Sequence, residues 1–170
     1  MGTSFGNYTD QYEGEVYDTI VIYLHGGGFM ALSCDTVQTY TRKWANELGV
    51  PIFSVDYRKP PEYTFPTPVY DCLVAYQFIV EHIHQYIVNV KPKYIYLAGD
   101  SAGGNLCCSL EAILLEKNYP ILPKGMLLAY PAADLRVRFT PSRLNSFNDP
   151  LLLPTLLMLC LEAYLGEKKE

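Results

Sequence analysis

The sequence has no run of lysine and arginine, no uninterrupted apolar segment long enough to cross a membrane, and no C-x-x-C cysteine pair. Its formal net charge is −5, so nucleic acid is not expected as a partner. The longest apolar block, residues 151–161, is broken by Pro154 and is too short for a transmembrane helix. His82 and His84 stand two apart in a predicted helix and face different directions, so we expect neither a metal nor another cofactor.

The chain also lacks a basic and apolar signal peptide at its N-terminus. Its five cysteines are odd in number, which does not fit a disulfide framework. We therefore predict reduced, mostly buried thiols in a cytoplasmic protein. Association with lipid droplets and the oligomeric state are left open.

The most informative segment surrounds Ser101. Gly99-Asp100-Ser101-Ala102-Gly103 has G-x-S-x-G spacing and follows the apolar run Tyr94–Leu97, with a helix-like segment after it. A serine in a sharp turn between strand and helix needs small neighbours, and its oxygen is then exposed above the sheet. The N–H of Ala102 would face the same point and could receive developing negative charge. A plain Gly/Ser-rich loop is the alternative, but the strand–turn–helix context favours a nucleophile.

A second glycine motif follows the β-branched run Thr19–Leu24. His25-Gly26-Gly27-Gly28 begins where that strand ends, and successive glycines allow backbone amides to turn toward a ligand. The glycines could also form an ordinary flexible turn. Their pairing with the Ser101 motif favours an oxyanion hole.

Strand and helix patterns alternate along the chain. Strands are predicted at residues 19–24, 52–55, 94–97 and 126–129, and helices at residues 36–48, 68–86 and 103–117. This alternation predicts an α/β fold, with a parallel sheet flanked by helices on both faces. The domain would span residues 19–170, after an extension of residues 1–18. We expect the apolar block 151–161 to be a buried helix, with contact to further protein and then contact to lipid as alternatives.

Together, the His25–Phe29 and Gly99–Gly104 motifs resemble those of the hormone-sensitive lipase family of α/β-hydrolases. The resemblance runs from about Thr19 to Gly166 and includes Trp44–Pro51 and Val55–Arg58. It implies a carboxylic ester hydrolase that acts on acylglycerols or related lipid esters by acyl transfer through Ser101. Contact with a lipid surface is compatible with such a substrate.

The resemblance also implies roles for individual residues. The amides of Gly27, Gly28 and Ala102 would hold the oxyanion, and His25 would orient the glycine loop instead of acting as a base. The remaining residues of the two motifs would support this geometry: Gly26, Gly99, Asp100, Gly103 and Gly104. Lys59 and Pro60 depart from the apolar and small residues that are usual in the family at these positions.

One departure concerns the catalytic triad, because no histidine follows Ser101. In this fold the order is serine, acid, histidine, and neither Asp134 nor Asp149 lies in the family's acid motif. The later strands of the fold are also missing, which predicts a partial hydrolase domain, a fragment of a longer lipase, with an exposed apolar edge at residues 126–129. Three hypotheses follow: a hydrolase domain whose acid and base lie in sequence outside this chain, a pseudoenzyme that binds acyl ligands, or a truncated product without function. We expect the 170-residue chain alone to be nearly inactive.

Overall fold

The computed structural model describes residues 16–87, 89–136 and 140–166. In these ranges the predicted alternation of strands and helices is confirmed. The elements are β1 (Tyr17–Leu24), α1 (Cys34–Leu48), β2 (Ile52–Val55), α2 (Thr67–His82), β3 (Val90–Asp100), α3 (Ala102–Glu116), β4 (Gly125–Ala129), α4 (Pro141–Asn145) and α5 (Pro154–Leu165), with 3₁₀ turns at Ile83–Gln85 and Ser146–Asn148. β1 starts two residues before the expected position, and most of the predicted extension 1–18 lies outside the described residues.

The four strands form one parallel sheet in the order β2-β1-β3-β4. In the central pair, Leu24 at the end of β1 lies opposite Gly99 near the end of β3. The turns that follow these two strands therefore emerge side by side at the carboxyl edge of the sheet, where α/β folds bind ligands. This register brings the two glycine motifs together.

Alternation along β1 divides its side chains between the two faces of the sheet. Ile20, Ile22 and Leu24 are fully buried in the larger apolar core, which α2 and α3 complete. Tyr23 belongs to a smaller cluster on the opposite face, where it packs with Val37 of α1. The layered arrangement predicted from the sequence is thus present on both faces.

The α1 face is only partly covered. Over β3 and β4, Tyr96 is 42% exposed and Leu127 is 64% exposed. Among the described residues, β4 is an edge strand of the sheet, so the exposed apolar edge expected from the sequence is confirmed there.

The prediction of a buried helix in the last apolar block is wrong. α5 begins at Pro154, which suits a first helical position, and its buried face consists of Cys160, Leu161 and Tyr164. Leu156 and Leu159 are about half exposed, at 48% and 50%. Within the described residues this helix has protein on one side only, so an almost uniformly apolar sequence does not become uniformly buried.

All five cysteines lie in the described part of the chain, and all are free thiols. Three of them, Cys72, Cys107 and Cys160, are buried, as expected. Burial raises the pKa of the Cys107 thiol to about 12. In the same ranges, no helix is both long and apolar enough to cross a membrane, and no group of three or more His, Cys, Asp or Glu side chains could hold a metal ion.

Candidate active site

Ser101 occupies the turn between β3 and α3 in a strained backbone conformation. Its φ is 51° and its ψ is −116°, a combination that residues with a side chain rarely adopt. The turn is held by hydrogen bonds on both sides: the Ser101 N–H donates to the Ala129 carbonyl at 2.9 Å, and the Ala132 N–H donates to the Ser101 carbonyl at 3.0 Å. The end of β4 and the segment that follows it thus hold the strained turn in place.

The first turn of α3 rests directly on the end of β1. A Cβ atom at Gly103 would overlap the Leu24 carbonyl oxygen and would lie 2.7 Å from that of His25. Only glycine permits this approach. The absence of a side chain at Gly103 therefore brings the Ser101 turn against the glycine loop after β1.

The glycine loop runs through positive φ at Gly27 (97°) and Gly28 (62°). The Gly27 carbonyl accepts hydrogen bonds from the N–H groups of Met30 and Ala31, at 3.2 and 2.9 Å, which closes the loop on itself. In the described part of the chain, no acceptor is found for the N–H groups of Gly27 and Gly28. The Ala102 N–H lies in the first turn of α3, where a helix leaves its amides without internal partners.

The far side of this loop packs on α5. Phe29 has a positive φ of 68° although it carries a side chain, and its ring stacks on Tyr164 with centroids 3.9 Å apart. A Cβ atom at Gly28 would lie 2.6 Å from the Cys160 sulfur, so this helix also backs the glycine itself. α5 is therefore a wall of the site and not a separate appendage.

His25 is fully buried beneath the loop. Its Nδ1–H donates to the Gly26 carbonyl at 2.8 Å, and its ring stacks on Tyr57 at 4.4 Å between centroids. The Tyr57 hydroxyl donates in turn to the His25 carbonyl at 2.8 Å. Burial lowers the pKa of His25, which keeps the ring neutral with its proton committed to the loop backbone.

Asp56 and Lys59 lie next to His25. The Asp56 carboxylate is 3.4 Å from His25 Nε2, and Lys59 Nζ donates to the same oxygen, Oδ1, at 2.5 Å. Lys59, which departs from the family pattern, is therefore engaged with Asp56. Sequence reasoning assigned no role to Asp56 or Tyr57; the available signal was their position directly after β2, which ends beside β1.

Asp100 connects the two motifs. Its Oδ1 accepts hydrogen bonds from the Gly26 N–H at 2.9 Å and from the Tyr23 hydroxyl at 2.5 Å. The Tyr23 hydroxyl also lies 2.9 Å from the Tyr40 hydroxyl on α1. Neither tyrosine was predicted from the sequence, although Tyr23 lies near the end of β1, two residues before His25.

All three histidines of the chain lie in the described ranges, and of these only His25 is at this edge of the sheet. His82 and His84 are exposed at the end of α2, which leads into the start of β3, at the opposite edge from Ser101. Asp134 pairs with Arg136 at 2.7 Å, and Asp149 accepts the N–H groups of Leu151 and Leu152. Neither acid is part of a catalytic arrangement with a histidine.

Most of the chain is similar to known proteins. The sequence profile of the α/β hydrolase fold matches residues 21–170. The chain belongs to the α/β-hydrolase family. It is 42% identical to mouse hormone-sensitive lipase over 152 residues, which is 89% of this chain and 20% of that lipase. It is 33% identical to bovine neutral cholesterol ester hydrolase 1 over 138 residues, 78% of this chain and 33% of that enzyme.

The fold of this chain is also similar to that of solved esterase structures. A hyperthermophilic esterase from the archaeon Pyrobaculum calidifontis superposes with a TM-score of 0.83 at 31% identity, covering 91% of this chain and 50% of the esterase. The chain thus spans about a fifth of the mouse lipase and half of this esterase. The α/β-hydrolase fold and the resemblance to hormone-sensitive lipases are confirmed.

Proposed function

We propose that this α/β-hydrolase chain carries the nucleophile and the oxyanion hole of a carboxylic ester hydrolase. Ser101 attacks the ester carbonyl: its hydroxyl proton passes to a base, its oxygen bonds to the acyl carbon, and the carbonyl oxygen becomes an oxyanion. The N–H groups of Gly27, Gly28 and Ala102 bind this oxyanion. Its collapse breaks the bond to the alcohol, which leaves with the proton, and water then hydrolyses the acyl-serine. Acylglycerols and related lipid esters are the proposed substrate class, in line with the similarity to a hormone-sensitive lipase and a cholesterol ester hydrolase.

The observation that carries this proposal is the close approach of two turns. Gly103 sits against the Leu24 and His25 carbonyls, so a strained serine and a loop whose Gly27 and Gly28 amides have no acceptor among the described residues share one edge of the sheet. Asp100 and Gly26 are joined across the gap by a hydrogen bond. Strain at Ser101 alone would also fit a structural turn, but strain beside free backbone donors is the arrangement that acyl transfer uses.

A serine hydroxyl also needs a base to remove its proton. The proton of His25 is committed to the loop backbone, and His82 and His84 are at the opposite edge of the sheet. The 170-residue chain by itself is therefore expected to hydrolyse esters only marginally. An enzyme that lacks a triad member still accelerates the reaction about 10³- to 10⁴-fold over water, through substrate binding and the oxyanion hole.

Imidazole in solution can stand in for the missing base. We expect imidazole to accelerate release of p-nitrophenol from p-nitrophenyl butyrate by the chain, beyond the rate with Ser101→Ala at the same imidazole concentration. Mass spectrometry of quenched samples should show a butyryl group on the peptide that contains Ser101. The Ser101→Ala variant is the matched control, because it removes only the Ser101 hydroxyl and so subtracts the reaction of imidazole itself.

The binding-only alternative has a distinct outcome in the same experiment. If butyrate or a butyrate ester raises the temperature of thermal unfolding but no acyl adduct forms, the chain is an acyl-ligand-binding module. Equal rates for the parent chain and Ser101→Ala at every imidazole concentration, with no adduct, contradict the hydrolase proposal.

A further inference from the structure

Four groups, each from a different part of the fold, form a continuous line of hydrogen bonds that ends at the glycine loop. They are the Tyr40 hydroxyl on α1, the Tyr23 hydroxyl on β1, the Asp100 carboxylate at the end of β3, and the Gly26 N–H. We call this set the Tyr40–Gly26 relay. None of its members belongs to the groups that touch the reacting ester in the proposed function.

The donors and acceptors in this relay have one consistent direction. A carboxylate can only accept, so the Gly26 N–H and the Tyr23 hydroxyl both donate to Asp100. The single proton of Tyr23 is then used, and the Tyr40 hydroxyl must donate to the Tyr23 oxygen. Burial, together with the hydrogen bond to Asp100, raises the pKa of Tyr23 far above its ordinary value, so this phenol remains a donor.

The tyrosine rings are held in place by packing. Tyr23 is 2% exposed and lies edge-on to both Tyr40 and Trp44, with ring centroids 5.9 Å apart in each pair. The rings of Tyr40 and Trp44 also pack together, with their centroids 5.1 Å apart. The hydroxyl of Tyr23 therefore has little freedom, and a rigid donor fixes the position of the carboxylate that it binds.

Asp100 is bonded to Ser101 through the chain, and Gly26 directly precedes Gly27. A shift of the carboxylate therefore changes the position of the first glycine relative to the serine turn. We propose that Tyr23, with Tyr40 behind it, is a positioning residue that acts through Asp100 to hold the oxyanion-hole loop in register with Ser101. The role in catalysis rests on the proposed function, whereas the relay itself can be measured without any turnover.

The first measurement is amide hydrogen exchange in Tyr23→Phe, which removes the hydroxyl and keeps the ring. We expect exchange of the Gly26 N–H to accelerate about tenfold, as for loss of one hydrogen bond to a charged network. The Leu97 N–H in the centre of the sheet should be unaffected. Tyr96→Phe is the matched control, since Tyr96 is a half-exposed tyrosine on β3 that lies outside the relay.

The second measurement is the imidazole-dependent, Ser101-dependent hydrolysis of p-nitrophenyl butyrate. Tyr23→Phe should lower kcat about ten- to a hundredfold with KM little changed, because displaced oxyanion donors affect the transition state more than the bound ester. Tyr40 is at the outer end of the relay. Tyr40→Phe should therefore accelerate Gly26 exchange and lower kcat, each by a smaller factor than Tyr23→Phe does. It also serves as the test if Tyr23→Phe does not fold.

The outcomes separate the relay from the proposed function. Equal Gly26 exchange in Tyr23→Phe and Tyr96→Phe overturns the relay, and so does an equal acceleration at Gly26 and Leu97, which is general destabilisation. Faster exchange at Gly26 alone, with kcat unchanged, overturns the positioning role. If the parent chain shows no Ser101-dependent hydrolysis, the proposed function fails, and the relay is judged by Gly26 exchange alone.

Discussion

The N–H of Gly26 donates a hydrogen bond of 2.9 Å to Oδ1 of Asp100, which joins the loop after β1 to the turn after β3. These residues are far apart in sequence, and each belongs to one of the two glycine motifs. Because Asp100 is the residue before Ser101, this bond sets the distance between the candidate nucleophile and the candidate oxyanion hole. Five predictions test this site and the fold around it.

Replacing Asp100 by alanine should destabilise the fold. Asp100→Ala leaves the Gly26 N–H and the Tyr23 hydroxyl without their acceptor, and we expect the free energy of unfolding to fall by about 2–3 kcal/mol. Urea denaturation measures this loss. The control is Asp35→Ala in the exposed first turn of α1, where the change should stay below about 1 kcal/mol. Equal effects at the two positions would contradict the linking role of Asp100.

Adding a methyl group at Gly103 should strongly destabilise the fold. Gly103→Ala places its Cβ against the Leu24 and His25 carbonyls, which belong to rigid backbone, and should cost about 3 kcal/mol or more. Gly125→Ala is the matched control, because there the nearest atom is Cδ1 of Tyr96 at 3.4 Å. Thermal unfolding of the two variants checks the prediction, and a well-folded Gly103→Ala would show that the two turns are further apart than described.

The anchoring of α5 can be tested by removing one ring. Tyr164 is 2% exposed and stacks on Phe29, so Tyr164→Ala should lower the free energy of unfolding by about 3–5 kcal/mol. The neighbouring Leu165 is 49% exposed, and Leu165→Ala should cost less than about 1 kcal/mol. Urea denaturation of both variants gives the comparison. Similar losses would mean that the helix is not seated on the glycine loop.

His25 should make stability depend on pH in a defined direction. Burial lowers the pKa of His25 in the folded chain below 6.5, the value of the unfolded chain. At a pH between the folded and the unfolded pKa, the unfolded chain therefore binds more protons than the folded one. Stability therefore falls as the pH drops through 6.5 and shows no His25 cost above about pH 7. The free energy of unfolding measured from pH 5.5 to 8 should lose this slope in His25→Asn. His82→Gln at an exposed position should keep it, and an unchanged slope in His25→Asn would reject the assignment.

The open edge of the sheet should promote self-association. Leu127 on β4 is 64% exposed, and an unpaired apolar edge strand is a template for pairing with another chain. Leu127→Lys should shift the sedimentation profile toward monomer at a given concentration. Leu115→Lys is the control, because Leu115 is 53% exposed but lies on helix α3 and not on β4. If both lysines act equally, added charge and not the edge is responsible.

Much of the fold and part of the site could be predicted from the sequence. The alternation of apolar strands with helical patterns identified β1 to β4 in order, since side-chain periodicity is a local property. The two glycine motifs marked Ser101 and the loop at His25 because strained turns and close approaches demand small residues. The absence of a histidine after Ser101 is likewise visible in the sequence alone, and it limits the proposed function to the nucleophile and the oxyanion hole.

Other features were decided only by the tertiary structure. The bonds from Tyr23 and Gly26 to Asp100 depend on the register between β1 and β3, which no local pattern specifies. The seating of α5 on Phe29 and Gly28 depends on which neighbours its apolar sequence meets, and the prediction of full burial failed for that reason. Composition and spacing determine which groups a chain can offer, whereas packing between distant segments determines which of them meet.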